Sequence, residues 1–215
     1  MITVAIADDH DLIRDGFKKL VSREADIIVI GEARSAEELF ELLRTGPAPD
    51  VLVLDIGLPD QNGLEVLKSL KSGKREEYAA MGVLILSMHP EERYARRALA
   101  AGASGYMTKD TASEELIMAL RRIYSRGRYI SQSLAEELAA EMGSDTEAPV
   151  HTRLSDREYE MLILIGEGKS VREISETLGL SVNTVNSYRS RLMQKTGLHS
   201  NAEIIHYALK HNLIE

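Results

Sequence analysis

The 215-residue chain contains no cysteine. A disulfide scaffold, a thiol nucleophile and a cysteine-ligated zinc site are therefore excluded, which fits a reducing compartment. Long apolar runs are also absent: segments such as Val51–Leu54 and Val83–Leu86 fall far short of the roughly 20 residues that cross a bilayer. The N-terminal apolar stretch ends at Asp8 and Asp9, so no secretory signal is expected. We expect a soluble, cytoplasmic protein with no membrane partner.

Charge is distributed unevenly along the chain. The formal net charge is −8, but the last 65 residues hold equal numbers of acids and bases, so the acidic excess lies before them. No acid occurs between Glu176 and Glu203. That stretch holds three bases, Arg189, Arg191 and Lys195. Because phosphates contact a local patch and not the average charge, the stretch favours nucleic-acid binding.

Short apolar runs alternate with amphipathic stretches over the first 126 residues. Buried β-strands are predicted at Ile2–Ala7, Ile27–Gly31, Val51–Leu54, Val83–Leu86 and Gly105–Met107. Helices are predicted near residues 11–23, 35–45, 63–74, 91–101 and 112–126. Ser35 and Glu38 have the spacing of a capping box at the second helix. This alternation predicts an α/β domain with a doubly wound, five-stranded parallel sheet.

The rest of the chain has a different pattern. A helix is predicted over Ser131–Met142, followed by a polar, breaker-rich segment at 143–149. Beyond Leu154 only helices are predicted, near residues 155–166, 170–177, 181–195 and 201–211. We divide the chain into an α/β domain over 1–126, a linker with a helix over 127–152, and a small all-α, four-helix domain over 153–215.

Polar side chains follow four of the predicted strands. Asp8 and Asp9 follow the first strand, Asp55 the third, Ser87 the fourth and Lys109 the fifth. Ligands of open parallel sheets bind at the carboxyl ends of the strands, so these side chains are expected to converge. Clustered carboxylates require a cation, and oxygen ligands suit Mg²⁺. Lys109 is expected to pair with Asp55.

This set of groups is equipped to accept a phosphoryl group. A carboxylate beside Mg²⁺, an ammonium and a hydroxyl could form an acyl phosphate and balance its charge. The alternative is that the aspartates only cap the helices that follow them. Five polar side chains at one edge of the sheet make that alternative the weaker one.

The motifs resemble the receiver domain of two-component response regulators over about residues 1–125. The resemblance is carried by Asp8-Asp9, Asp55–Gly63, Ser87 and Gly102–Lys109. It implies a flavodoxin-like fold with Asp55 as phosphoacceptor. It further implies that Mg²⁺ is bound by Asp8, Asp9, Asp55 and the backbone carbonyl of Gly57. By the same resemblance, Ser87 and Lys109 contact the phosphoryl group, and Tyr106 changes rotamer with Ser87.

The sequence also departs from the receiver pattern. Asp110 stands where many receivers have proline after the lysine, so no cis peptide is assumed there. Gly57 and His89 occupy two places at which receivers vary their dephosphorylation rate. Tyr106 has a second interpretation, as a packed aromatic on an edge strand.

The sequence from Ser170 to Lys195 predicts a helix-turn-helix. The first helix stops at Gly179, and Ser181 caps the second. Three residues of the second helix, Val185, Tyr188 and Leu192, share an inward face. Its other face is polar and free of acid: Asn186, Ser187, Ser190, Arg191 and Gln194. This favours reading of the major groove, the alternative being an ordinary solvated face.

Residues 150–215 resemble the LuxR-type helix-turn-helix through Leu154–Glu158 and Lys195–Leu198, and the whole chain resembles the NarL/FixJ family. The resemblance implies base contacts by Asn186, Ser187 and Ser190. It implies phosphate contacts by Thr184, Arg189, Arg191 and Lys195. Dimerisation is implied for the last helix, through Ile204, Ile205, Ala208 and Leu209, although that stripe could instead cover the core. Asn186 and Tyr188 differ from the common lysine and histidine, so the target sequence cannot be copied from a relative.

Together these features predict a transcription regulator switched by phosphorylation. A sensor histidine kinase would donate its phosphoryl group to Asp55 with Mg²⁺. The remodelled receiver would then favour a homodimer that binds half-sites in double-stranded DNA. The chain is expected to catalyse only its own phosphoryl transfer and dephosphorylation, and no other enzymatic reaction.

Three alternatives stay open. A haloacid-dehalogenase-like phosphatase would need an acid where Gly57 stands. A protein-binding output would lack the steep salt dependence of DNA binding. An orphan regulator would act without phosphorylation, although the acidic pocket is intact.

Overall fold

A computed structural model describes residues 1–73, 75–111, 113–132, 134–136 and 149–214. The chain forms two compact units, Met1–Met142 and Gly143–Glu215. The border between them falls inside the segment 127–152 that was predicted to be the linker. The predicted helix Ser131–Met142 and the predicted linker 143–149 include residues 137–148, which lie outside the described residues.

The first unit contains the predicted five-stranded parallel sheet. Its strands are β1 (Ile2–Ala7), β2 (Ile27–Ala33), β3 (Val51–Leu54), β4 (Gly82–Ser87) and β5 (Gly105–Thr108). They lie in the order β2-β1-β3-β4-β5, and each pairs in parallel with its neighbour. The predicted fold class is confirmed. Ser87 is the last residue of β4 and not, as predicted, the residue after it, because its partner Thr108 extends the ladder.

Helices connect the strands of this unit. They are α1 (Asp11–Val21), α2 (Ala36–Thr45), α3 (Gly63–Ser72), α4 (Glu76–Ala80), α5 (Glu91–Ala100) and α6 (Ser113–Tyr124). Helix α4 was not predicted, because it is short and buries no residue, so it has no apolar periodicity. Lys71 in α3 contacts its last turn: the Nζ of Lys71 donates to the backbone oxygen of Ala79 over 3.1 Å.

The core lies on both faces of the sheet, which explains why the strands are almost continuously apolar. One face packs against Phe17 and Val21 of α1 and against Leu120 and Ile123 of α6. Apolar residues of α2 and α3 are also buried: Leu39, Leu43, Leu64, Leu67 and Leu70. The rigid sheet fixes the positions of the loops at its carboxyl edge.

The start of α2 is capped by two residues. The Oγ of Ser35 accepts from the backbone N–H of Glu38, as predicted, but the Glu38 carboxylate accepts from the N–H of Arg34. The capping box is therefore only half formed. Asp60, in the loop after β3, accepts from the N–H groups of Ala36 and Glu37 over 2.8 and 2.9 Å. Burial acts to raise the pKa of Asp60, but these backbone donors lower it.

The second unit is helical. A 3₁₀ turn (Val150–Arg153) precedes α7 (Asp156–Gly166), α8 (Val171–Leu178), α9 (Val182–Thr196) and α10 (Asn201–Lys210). Serine side chains cap all four α-helices: Ser155, Ser170, Ser181 and Ser200. Gly179 ends α8 with a left-handed φ of 62°, which confirms the predicted turn between α8 and α9. Within the described residues, none of the helices could span a bilayer.

Substitution of Gly63 is predicted to destabilise the first unit. A Cβ atom at this position would lie 2.0 Å from the backbone oxygen of Asp55 and 2.9 Å from the Cα of Ile56. Because backbone atoms cannot yield as a flexible side chain does, Gly63→Ala should lower the free energy of unfolding by about 3 kcal/mol.

The matched control is Gly16→Ala in α1, where a Cβ meets nothing within 4 Å. Alanine favours a helix over glycine, so this variant should gain about 0.5–1 kcal/mol. Urea unfolding followed by circular dichroism measures both. Equal stabilities for the two variants would contradict the close approach at Gly63.

Candidate functional site

Two buried aspartates meet at the carboxyl edge of the sheet. Asp8 follows β1 and Asp55 follows β3, and the backbone N–H of Asp55 donates to the oxygen of Ala7 over 2.9 Å. Asp8 and Asp55 are 1% and 4% exposed, whereas Asp9 is exposed. Adjacent central strands therefore place two carboxylates side by side away from bulk water.

Lys109 joins these two carboxylates. Its Nζ lies 2.6 Å from Oδ2 of Asp55 and 2.7 Å from Oδ2 of Asp8, and its side chain is 2% exposed. The predicted ion pair with Asp55 is present, and the contact with Asp8 adds to it. The backbone N–H of Lys109 donates to the oxygen of Ser87 over 2.8 Å, which holds the loop after β5 against β4.

The burial of this cluster changes its protonation equilibria. Burial raises the pKa of Asp55 above its ordinary value, and the nearby Asp8 adds to that effect, while Lys109 opposes it. Burial acts to lower the pKa of Lys109, but the carboxylates of Asp55 and Asp8 outweigh it and raise the pKa. The lysine is therefore held in its charged form between the two acids.

The donor set fits a hard divalent cation. Ligating atoms of Asp8, Asp9, His10 and Asp55 all lie within 4.8 Å of one another. Three of these four residues offer carboxylate oxygen, the ligand that Mg²⁺ prefers in proteins. The backbone N–H of Gly57 donates to Oδ1 of Asp55 over 3.2 Å, which brings its loop to the pocket. The role of the Gly57 carbonyl stays a prediction.

Gly57 lies directly beside the phosphoacceptor candidate and places no side chain against it. A Cβ atom at this position would lie 3.6 Å from Oδ2 of Asp55. The position at which the phosphatase alternative needs an acid therefore does adjoin the carboxylate, and glycine provides no acid there. The geometry weighs against that alternative.

Ser87 and Tyr106 are both buried and both contact the loop after β4. The Oγ of Ser87 accepts from the N–H of His89 over 3.2 Å, and the hydroxyl of Tyr106 donates to the oxygen of His89 over 2.8 Å. Burial raises the pKa of Tyr106, so its hydroxyl stays protonated. His89 itself stacks on Tyr94, with 4.7 Å between ring centroids. The structure therefore joins Ser87 and Tyr106 through the backbone of His89 and also directly, since a side-chain hydrogen bond with Ser87 acts against the rise in the pKa of Tyr106.

Sequence reasoning missed Arg14, which lies behind the pocket. Its side chain is buried, and its Nη1 donates to the backbone oxygen of Asp8 over 2.6 Å. A signal existed, because Arg14 shares the helical face of Phe17 and Val21, which point into the core. A lone arginine on an amphipathic helix is expected to face solvent, however, and its partner is visible only in the tertiary structure.

His10 was also missed. Its Nδ1 lies 2.7 Å from Oδ1 of Asp9 and 3.1 Å from Oδ1 of Asp8, and its backbone N–H donates to Asp8 over 2.9 Å. The only signal was its position directly after the two aspartates. The Asp8–Asp9 turn is thus held from within by His10.

In the second unit, α9 presents the predicted polar face. Val185 and Leu192 are fully buried, while Asn186, Ser187 and Ser190 are exposed. Ser187 uses its hydroxyl as a donor to the oxygen of Asn183 over 2.9 Å, which leaves the oxygen of that hydroxyl able to accept. The side chains assigned to base contacts therefore share one accessible face of a single helix.

The residues assigned to phosphate contacts differ in their surroundings. Arg191 is exposed, with its guanidinium 5.8 Å from the ring centroid of Tyr188. Arg189 donates from Nε to Oδ1 of Asn201 over 2.9 Å, which orients it from α10. Thr184 shares a hydrogen bond of 2.8 Å with Ser181 at the helix start.

Lys195 has a structural partner that the sequence did not reveal. Its Nζ lies 2.7 Å from Oε2 of Glu158, the acid of the capping box of α7. Burial acts to raise the pKa of Glu158, but Lys195 and the groups of Ser155 lower it. Lys195 therefore links α9 to α7, while its side chain is 45% exposed and its contact with phosphate stays a prediction.

The stripe assigned to dimerisation divides into two sets. Ile204 and Ala208 are fully buried, and a Cβ added at Gly166 would lie 3.0 Å from Cβ of Ala208, so these side chains pack against α7. With no accessible surface, they form core and not a contact surface. Leu209 is 48% exposed and Ile205 is half-buried, so a contact through α10 is left to these two residues.

Two family profiles match the chain. The response regulator receiver domain matches residues 4–121, and the LuxR family of bacterial regulatory proteins matches residues 152–208. The response regulator UvrY of Escherichia coli K12 is 36% identical over 215 residues, covering 99% of this chain and 96% of that protein. The response regulator GacA of Pseudomonas aeruginosa is 32% identical over 217 residues, covering 100% and 99%.

Among solved structures, the chain is similar to RcsB from Salmonella enterica serovar Typhimurium. That protein is bound to the promoter rprA in the presence of the phosphomimetic BeF₃⁻. The identity is 25%, the TM-score is 0.65, and the match covers 96% of this chain and 97% of RcsB.

Replacement of Lys109 by methionine is predicted to destabilise the protein strongly. Without the ammonium, the buried carboxylates of Asp8 and Asp55 face each other uncompensated. In the absence of divalent cations, Lys109→Met should lower the free energy of unfolding by about 3 kcal/mol, as measured by urea titration. The exposed Lys19→Met serves as control and should change it by less than about 0.5 kcal/mol. Similar losses in both variants would refute the role of Lys109.

Proposed function

The chain belongs to the NarL/FixJ family of response regulators, in which a receiver is joined to a LuxR-type DNA-binding domain, and we propose that phosphorylation of Asp55 controls its binding to DNA. The observation that carries this proposal is the convergence of Asp8, Asp55 and Lys109 in one buried pocket. Aspartates that only cap helices, or that form ion pairs at the surface, would not require two buried carboxylates around one lysine.

The proposed donor is a phosphohistidine of a sensor histidine kinase. A carboxylate oxygen of Asp55 attacks phosphorus, the P–N bond breaks, and the imidazole leaves with its electron pair. Lys109 supplies positive charge to the transferred oxygens, and the Ser87 hydroxyl donates to one of them. Bound Mg²⁺, held by Asp8, Asp9, Asp55 and the Gly57 carbonyl, would neutralise charge on those oxygens. Gly57 places no side chain against the Asp55 carboxylate, which a Cβ there would approach to 3.6 Å.

The proposed signal leaves the pocket through the loop after β4. Ser87 and Tyr106 both bind the backbone of His89, as acceptor and donor respectively. When Ser87 turns to the phosphoryl group, its bond to the N–H of His89 is lost. The loop then moves, and Tyr106, hydrogen-bonded to the same residue, moves with it. The remodelled receiver would favour a homodimer.

The proposed output is dimeric binding of double-stranded DNA in the cytoplasm. The accessible face of α9 would read bases through Asn186, Ser187 and Ser190, while Arg189 and Arg191 contact phosphates. The RcsB complex with promoter DNA supports this reading. Beyond transferring and hydrolysing its own phosphoryl group, the chain would turn over no substrate.

Substitution of the phosphoacceptor tests the switch. Wild-type protein with Mg²⁺ should bind selected DNA more tightly once beryllofluoride is added, whereas Asp55→Asn should show no response because its amide cannot hold the mimic as a carboxylate does. DNA affinity is measured by fluorescence anisotropy with and without the mimic. The control Asp26→Asn removes an exposed acid that pairs with Arg121, and it should respond like wild type. A response retained in Asp55→Asn would contradict the proposal.

Substitutions in α9 test the DNA interface. Arg191→Ala should reduce the steepness of log K against log salt by about 0.9, because one phosphate contact is lost. Lys210→Ala, in the last turn of α10, is the matched control and should leave the slope unchanged. Asn186→Ala should instead cost about 1–3 kcal/mol on the preferred site and relax the base preference there. If the chain binds a protein with little dependence on salt and binds no DNA, the alternative of a protein-binding output is favoured.

A further inference from the structure

One guanidinium group connects three elements behind the acidic pocket. The Nη1 of Arg14 donates to the backbone oxygen of Asp8 over 2.6 Å. Its Nη2 pairs with Asp11 in the first turn of α1, and its Nε lies 3.5 Å from Oε2 of Glu32 in β2. The Arg14 side chain is 3% exposed. The end of β1, the start of α1 and the edge strand β2 thus share one cation.

We infer that Arg14 is a positioning residue that holds the Asp8–Asp9 turn in the geometry that binds a divalent cation. This inference rests on the proposed function. The backbone N–H of Asp8 donates to the oxygen of Ala33, which closes the β1–β2 ladder. The Asp8 carbonyl lies just beyond that ladder in a residue that is 1% exposed. Without Arg14 this buried acceptor loses its donor.

The orientation of this peptide group sets the orientation of the carboxylate. Asp8 directs Oδ2 to Lys109 at 2.7 Å and Oδ1 to the backbone N–H of His10 at 2.9 Å. A rotation of the peptide group between Asp8 and Asp9 would therefore move the Asp8 carboxylate in the pocket. It would also displace the backbone nitrogen of Asp9. Groups behind a metal ligand that fix its orientation commonly change metal affinity 10- to 100-fold when removed.

Arginine suits this position because of its shape and permanent charge. Its planar fork donates to Asp8 and Asp11 and places its charge 3.5 Å from Glu32, and it stays protonated at any ordinary pH. Its charge is offset by Asp11 and Glu32, so it does not oppose a cation in the pocket. Lys18 also ties α1 to Glu32, at 3.1 and 3.2 Å, and pairs with Asp15. Lys18 therefore shares the scaffold contact of Arg14 with β2 but lies outside the contact with Asp8.

The test compares Mg²⁺ affinity with stability in four full-length proteins. Isothermal titration with Mg²⁺ gives Kd, and thermal unfolding without Mg²⁺ gives Tm, for wild type, Arg14→Met, Arg14→Lys and Lys18→Met. We expect Arg14→Met to raise Kd roughly 10- to 100-fold. The Kd of Arg14→Lys should lie between those of wild type and Arg14→Met. An ammonium can replace the hydrogen bond to Asp8 but not the other contacts of the guanidinium. Lys18→Met should keep the wild-type Kd.

Each outcome has a distinct meaning. A wild-type Kd in Arg14→Met, with a lower Tm, would overturn the inference and leave Arg14 a purely structural role while the proposed function stands. If Arg14→Met does not fold, the pair Arg14→Lys and Lys18→Met decides, and equal Kd values in that pair overturn the inference. If wild type does not bind Mg²⁺, the cation requirement of the proposed function fails, and the inference fails with it.

Discussion

The ammonium of Lys109 between the carboxylates of Asp8 and Asp55 is the interaction on which the edge of the sheet depends. Two buried carboxylates at the ends of adjacent strands repel each other, and the lysine that follows the edge strand β5 balances them. Its backbone N–H also binds β4 through Ser87. The three loops that form the pocket are therefore held together by one cation, and a second, divalent cation can be accommodated beside it.

The pocket is connected to the scaffold by polar contacts on its other sides. Asp60, five residues after Asp55, accepts from the first N–H groups of α2. Arg14 fixes the backbone of Asp8. The positions of the pocket residues therefore depend on α1 and α2, because hydrogen bonds tie the loops that carry the reactive groups to these helices.

In the second unit, capping residues set the two ends of α9. Ser181 begins α9, and Gly197 ends it in a left-handed conformation. The ion pair between Lys195 and Glu158 links the end of α9 to the start of α7. The Lys195 side chain is 45% exposed beside Glu158, so its contact with DNA phosphate stays a prediction.

Residue period, turn residues and strand-end aspartates are local signals, and they were enough to predict the sheet, most of its helices, the pocket residues and the polar face of α9. The partners of Arg14 and Lys195, the burial of Ile204 and Ala208, and the short helix α4 became visible only in the folded chain. Lys195 and Ala208 contact segments distant in sequence. Arg14 reaches Asp8 only six residues away, but the fold of the β1–α1 turn is needed to bring the two together. A single side chain cannot reveal from its own position whether its charge faces water or a buried acceptor, because that is set by the elements packed against it.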